Sequence, residues 1–216
     1  MELTVVEKSK ALKKLSKVFW IFIIGSILGF LIETLVAFIQ NGHLVSRQGL
    51  IFGPFIQVYG IGLVIFYLIV PNAKTNVQVF IVSFVLGGII EYLFSYFQEK
   101  YFGTVSWDYS NLLFNLNGRT SLLHCIYWGT GGLIFMKLIY PFLSNLDKIY
   151  KSIYFKAATV FLVIFMTFNI SITSLASQRQ LERRNNIVAQ NKLDIFFDTY
   201  YPDSKLSKIY SNAKER

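Results

Sequence analysis

The sequence predicts an all-α, polytopic membrane bundle of five spans, arranged as two parallel two-helix repeats plus one extra span. Three observations carry this. Of 216 residues, 54% are hydrophobic and only 15% are charged, against about 25% charged in average usage, and the mean hydropathy is +0.48. The charges are bunched, leaving five stretches long enough to cross a hydrocarbon core about 30 Å thick. The polar landmarks of the first two stretches then recur, in order, in the next two. This composition excludes a soluble domain and a disordered chain. Aperiodic glycine and the absence of sustained heptads exclude collagen and coiled coil, and with Cys125 as the single cysteine there is no disulfide scaffold.

The elements follow in chain order. Residues 1–17 form a basic N-terminus containing Lys8, Lys10, Lys13, Lys14 and Lys17. Spans are expected at about 18–39, 50–70, 77–97, 120–140 and 155–176, and a polar tail fills 177–216. Repeat one is 18–70 and repeat two is 77–140. Unpaired backbone groups are not tolerated in lipid, so the spans are expected to be helices. Lys74, Lys137, Lys148, Lys151 and Lys156 lie on the same side as the basic N-terminus, whereas the opposite loops hold only Arg47, Lys100 and Arg119. By the positive-inside rule the N-terminus is cytoplasmic, and five spans place the C-terminus outside. Arg179, Arg183, Arg184 and Lys192, just after the last span, run against that assignment.

The duplication sets Leu28-Gly29-Phe30-Leu31-Ile32-Glu33 against Leu86-Gly87-Gly88-Ile89-Ile90-Glu91. It continues with Tyr59-Gly60-Ile61-Gly62 against Trp128-Gly129-Thr130-Gly131, and Leu68-Ile69-Val70-Pro71 against Leu138-Ile139-Tyr140-Pro141. Each repeat holds an even number of spans, so the two share one topology, and parallel repeats of this kind place a site at their interface. The match also predicts that Gly53-Pro54 belongs to a full helical span.

Glu33 and Glu91 are the costly groups. A charged carboxylate at a helix centre costs about 2.5–3.5 kcal/mol, and less toward the outer third, where these two fall. Gly25, Gly29 and Glu33 share one helix face, as do Ser83, Gly87, Glu91 and Ser95. Small residues let helices approach closely, so both carboxylates should point inward. Arg47 and Arg119 occupy nearly equivalent places and are candidate partners. The loop at 98–119 sets Asp108, Asn115 and Asn117 among aromatic residues, as a lid or polar rim. His124 is a candidate proton relay to Glu91. The expected substrate-binding set is therefore Glu33, Arg47, Glu91, Asp108, Asn115, Asn117, Arg119 and His124. Two scattered histidines and one cysteine do not make a metal site. No nucleotide-binding or hydrolase motif is present, so no catalytic residue and no cofactor is assigned. The basic charge is accounted for by membrane orientation, which leaves no call for nucleic acid. In the tail, Pro202-Asp203 opens a short amphipathic helix carrying Leu206, Ile209 and Tyr210.

Several of these residues also carry a resemblance: Gly29-x-x-x-Glu33, Arg47-Gln48-Gly49 with Phe52-Gly53-Pro54, Tyr59-Gly60, and Glu91-Tyr92-Leu93. It is strongest in Trp107-Asp108-Tyr109-Ser110, in Phe114-Asn115-Leu116-Asn117-Gly118-Arg119 and in Trp128-Gly129, and it extends to Tyr201-Pro202-Asp203 and Lys208-Ile209-Tyr210. The chain resembles the bacterial CmpB-like family of type IV ABC-transporter permeases over nearly its whole length. It departs at Gln48 and Gln57, and at Asn169, near where the family often carries Asp. The resemblance implies a bacterial plasma-membrane protein acting as the membrane half of a transporter.

The leading expectation is a permease subunit that binds or moves a substrate through an outward-facing polar site. A separate ATPase would dock on the cytoplasmic loops at 71–76 and 141–154, and membrane lipids and a second copy of the chain are further candidate partners. Two alternatives stand beside it. One is a membrane enzyme or flippase-like protein acting on a lipid-linked substrate, with Asp108, Glu91 and His124 as acid–base groups. The other is a structural or partner-stabilising protein without turnover.

Overall fold

The computed structural model describes residues 5–144 and 152–216, with side chains from Lys10 onward except at Ser144. Residues 145–151, within the expected cytoplasmic loop, lie outside the described residues. The chain is mostly helical. α1 (Val5–Asn41) carries the N-terminal lysines and the first span as one helix. α2 (Gln57–Ile69) ends in a 3₁₀ turn, Val70–Asn72. α3 (Asn76–Phe102) is capped by the Thr75 hydroxyl at its start and stopped by Gly103 at φ +63°. α4 (Leu122–Ile134) passes through a π turn, Phe135–Ile139, into α5 (Tyr140–Ser144). α6 (Ile153–Arg184) runs past the expected end of the fifth span. The tail folds into α7 (Lys192–Tyr200), α8 (Asp203–Ile209) and a short strand β4 (Lys214–Glu215).

Four helical stretches are long and apolar enough to cross a membrane: Lys10–Asn41, Asn76–Phe102, Leu122–Leu143 and Ile153–Arg184. The expected second span differs. Its helix begins only at Gln57, and Gly53-Pro54 lies in an irregular segment rather than in a helix. Gly53 adopts φ +79°, a conformation open to glycine and costly for other residues, and a residue preceding proline is pushed out of the helical region. This segment reaches the middle of the bundle. The Ile56 N–H donates to the Ser26 carbonyl at 3.0 Å, and the Phe52 N–H donates to Asn169 Oδ1 at 3.1 Å. Ser26 and Asn169 both stand near the middle of their helices.

Irregular backbone at that depth needs internal partners, and it has them. Asn169 Nδ2 donates to the Phe52 carbonyl at 2.6 Å, and Thr173 accepts from the Ile51 N–H at 3.1 Å. Gln48 and Gln57 donate to the Gly53 and Gly49 carbonyls. Leu50, Ile51 and Phe55 bury their side chains against Ile23, Met166 and Ala176.

Two antiparallel helix pairs, α1 with α2 and α3 with α4, make the main contacts, and they make them alike. The Tyr59 ring covers Gly29, and the Trp128 ring covers Gly87. Gly60 faces Phe22, and Gly129 faces Phe80. A shift of 58 residues relates each first helix to its counterpart, and a shift of 69 relates each second helix. Tyr59 stacks on Trp128 with centroids 5.7 Å apart, and Phe66 meets Phe135 edge-on at 5.9 Å. Both of these pairs join positions 69 residues apart. They sit between the two halves, beside the central core of Ile21, Phe66, Val70, Val79, Phe135 and Leu143.

The tail closes one end of the bundle. Phe197, Tyr201 and Leu206 pack on Ile51 and Ala176, and the Ser211 hydroxyl donates to the Ser46 carbonyl at 2.7 Å. β4 pairs antiparallel with β1 (Thr104–Val105). A second two-stranded ladder, β2 (Asn115–Leu116) with β3 (Thr120–Ser121), shapes the loop leading into α4. As expected, the Pro202-Asp203 start gives a helix with Leu206 buried.

Candidate functional site

Glu33 and Glu91 point inward in the same half of the bundle, each placed by the small-residue face of its helix. Tyr59, seated on Gly29, donates its hydroxyl to Glu33 at 2.5 Å. Glu91 is 7% exposed. It accepts from the Thr120 hydroxyl at 2.9 Å and from the Tyr109 hydroxyl at 3.2 Å, and the Trp128 side chain is a third donor. The two carboxylates and the two tyrosines lie close enough to interact electrostatically. Burial, and then the neighbouring Glu91 carboxylate, hold the Tyr109 phenol well above the ordinary tyrosine range, so it stays a donor.

The arginines are arranged differently from the expected pairing. Arg119 forms its ion pair with Glu99 at 2.7 Å. It also touches the Ser95 hydroxyl at 3.3 Å and lies over Tyr92 and Tyr96. Arg47 makes no ion pair among the described residues, and its Nε is buried without a partner. Glu33 and Glu91 therefore rest on neutral donors, not on guanidinium groups.

The loop residues organise the approach to this cluster. Asp108 is exposed and held below the ordinary carboxylate range by the hydroxyl and backbone N–H of Ser110. The Asn115 amide donates to the Ser110 and Leu112 carbonyls and accepts from the Gly118 N–H. Asn117, at φ +53°, donates to the Tyr92 hydroxyl at 3.2 Å. The Trp107 indole donates to the Arg119 carbonyl at 2.8 Å. His124 bonds the Ser121 hydroxyl at 2.8 Å and stacks on Tyr109 with centroids 3.6 Å apart. It reaches Glu91 only through that ring. Among the described residues no three metal-ligating side chains converge.

The carboxylates are legible in the sequence, and their donors are not. Tyr59 and Trp128 stood in the repeat motif, and Tyr109 stood in the Trp-Asp-Tyr-Ser motif. Thr120 and Glu99 carried no signal of their own. The arrangement can hold polar or charged groups against two carboxylates inside a membrane bundle.

No curated protein and no solved structure matches the chain. A family model described as "Putative ABC-transporter type IV" (the CmpB family) matches residues 20–174. That stretch runs from the first span to the middle of α6 and takes in both inward-facing carboxylates. The protein is thus a multi-pass membrane protein that belongs to the CmpB-type ABC-transporter family.

Proposed function

We propose that this chain is a permease subunit of the bacterial plasma membrane. In this reading it is built from two parallel repeats and a fifth crossing, and its substrate site opens on the tail side, outside the cell. The reading of two repeats is supported by the matching contacts at Gly29 and Gly87 and at Gly60 and Gly129, and by the meeting of Tyr59 with Trp128. The π turn supports it too. Phe66 and Phe135 are 69 residues apart, whereas Pro71 and Pro141 are 70 apart. A π turn absorbs one extra residue, and Phe135–Ile139 lies where the count changes.

The observation that carries the functional reading is the pair Glu33 and Glu91. They stand at matching positions of the two halves, turned inward, with hydroxyl and indole donors and no cation at ion-pair distance among the described residues. Carboxylates are costly to bury in a span, and intramembrane ionisable residues mark substrate pathways. In this reading Glu33, Glu91, Arg47 and Arg119 line the path. Asp108, Asn115 and Asn117 shape its mouth, and His124 supports it through Tyr109. An ATPase partner would dock at the opposite end, on loops 71–76 and 141–154.

The test is purification from native membranes in gentle detergent, followed by mass spectrometry. A stoichiometric ATPase that is lost when loop 71–76 is altered is the expected result, and its absence from every preparation would sink the permease reading. Glu91→Gln is expected to leave that complex assembled while abolishing complementation of a deletion strain. Full complementation by Glu91→Gln would remove the carboxylate from the site.

A further inference from the structure

A groove of about 440 Å³ runs along the seam of α3 and α4, lined by Phe84, Gly88, Tyr92, Leu116, Thr120 and Cys125. It lies within the Asn76–Phe102 span, and Val85, Ile89 and Leu93 beside it are exposed. The groove therefore opens toward hydrocarbon. Its floor ends at Thr120, whose hydroxyl is engaged by Glu91.

Gly88 opens this groove. The position 58 residues earlier is Phe30, so the second half lacks a ring that the first half carries. A Cβ at Gly88 would meet Cys125 Sγ at 2.7 Å, so any side chain there intrudes on the groove.

The upper rim has a different chemistry. The Tyr92 hydroxyl is bonded by Asn117, and the Arg216 guanidinium donates to the Asn117 carbonyl at 2.7 Å. Arg119 lies 5.7 Å from the Tyr92 ring centre, and Lys100 lies 6.0 Å from that of Tyr96. Arg119 and Arg216 meet at Glu99, which pairs with Arg119 at 2.7 Å and lies 3.9 Å from Arg216, and Lys100 shares the Tyr96 ring with Arg119. An apolar slot inside a span, topped by a cationic rim at the membrane–water boundary, matches an amphipathic molecule with one chain down and an anionic head up.

From this we infer that the α3–α4 groove binds one phospholipid with an anionic head group from the tail-side leaflet. An acyl chain lies over Gly88 beside Cys125, and the phosphate rests at Arg119, Arg216 and Lys100. Occupancy of the groove does not depend on the permease reading.

The full chain, purified in mild detergent, is incubated with phosphatidylglycerol or phosphatidylcholine and examined by native mass spectrometry. One phosphatidylglycerol per chain is expected to be retained, at least about tenfold in preference to phosphatidylcholine. Gly88→Phe, which copies the first repeat, is expected to remove that retention, and Lys100→Gln to narrow the preference several-fold. Equal retention of the two lipids would overturn the anionic head group. Undiminished retention by a monodisperse Gly88→Phe protein would overturn the groove. Should Gly88→Phe fail to fold, the unmutated chain decides: phosphatidylglycerol slows Cys125 alkylation by N-ethylmaleimide at least about fivefold, and an unchanged rate overturns the proposal.

Discussion

At the scale of single residues, Asn169 shows how an apolar helix holds an irregular neighbour. It is fully buried in α6 and meets the backbone of Phe52 twice, accepting its N–H and donating to its carbonyl. Each backbone group left unsatisfied after burial costs about 1–3 kcal/mol. Asn169→Leu is therefore expected to destabilise the protein by about 2–4 kcal/mol, read as a lower thermal midpoint in detergent. Thr173→Val frees one donor and should cost roughly half as much. Thr167→Val is the control, because Thr167 is exposed and bonds only its own helix; an Asn169→Leu midpoint equal to the control would show that the segment is held by packing alone.

Glu33 and Glu91 were legible in the sequence because a carboxylate in a span is costly wherever it points. Their donors were not legible, since Tyr59, Tyr109 and Thr120 lie 26, 18 and 29 residues away from them. Arg119 was expected at Glu91 and is found at Glu99, two turns further along the same face. There the buried guanidinium lies over the Tyr92 and Tyr96 rings.

At the scale of elements, hydropathy places four helices long and apolar enough to cross a membrane, whereas the second expected span is a shorter helix behind an irregular segment. Leu50, Ile51, Phe52 and Phe55 are as apolar as helix residues, and the repeat argued for a full helix. The local signal of Gly53-Pro54 was present and pointed the other way. What the sequence could not show is that Asn169 and Thr173 satisfy the backbone there. The arginines beyond the fifth span have a comparable explanation, because they hold the tail. Arg179 pairs with Asp198 and Glu182, Arg183 with Asp198 and Asp203, and Arg184 with Glu215.

The Arg179 bond, with Arg183 beside it, holds the Asp198 carboxyl at about 2, below the ordinary 3.8. A carboxyl depressed in the folded state adds stability above its unfolded value and loses it as pH falls through the folded one. The contribution of Asp198 is thus complete above about pH 5 and gone near pH 1. Amide protection across 192–209, with exchange divided by its intrinsic rate at each pH, is expected to fall several-fold over that window. Asp198→Asn should show the faster exchange already at neutral pH, with a smaller further change in acid. An acid response identical to that of the unmutated chain would mean that Asp198 does not hold the tail.

At the scale of the whole molecule, the tail ties one end of the bundle together. It bonds the segment before α2 through Ser46 and the loop before α4 through Ser106 and Thr104. Those two stretches and the tail therefore share one end. The Val70–Asn72 turn and the start of α1 lie at the other end. In the proposed reading the irregular segment and α2 together complete one crossing. With α1, α3, α4–α5 and α6, the proposed reading has five crossings and termini on opposite sides, and by the positive-inside rule it sets the end with the lysines of α1 and Lys74 in the cytoplasm. In a Cys125→Ser background, Gln190→Cys and Lys74→Cys place one exposed thiol at each end. Intact cells treated with an impermeant maleimide are expected to label position 190, and position 74 only after permeabilisation. The reverse pattern would invert the orientation and keep the five crossings. Identical behaviour at the two positions would place them on one side, and neither the tail contacts nor the crossing made by α2 would survive that result.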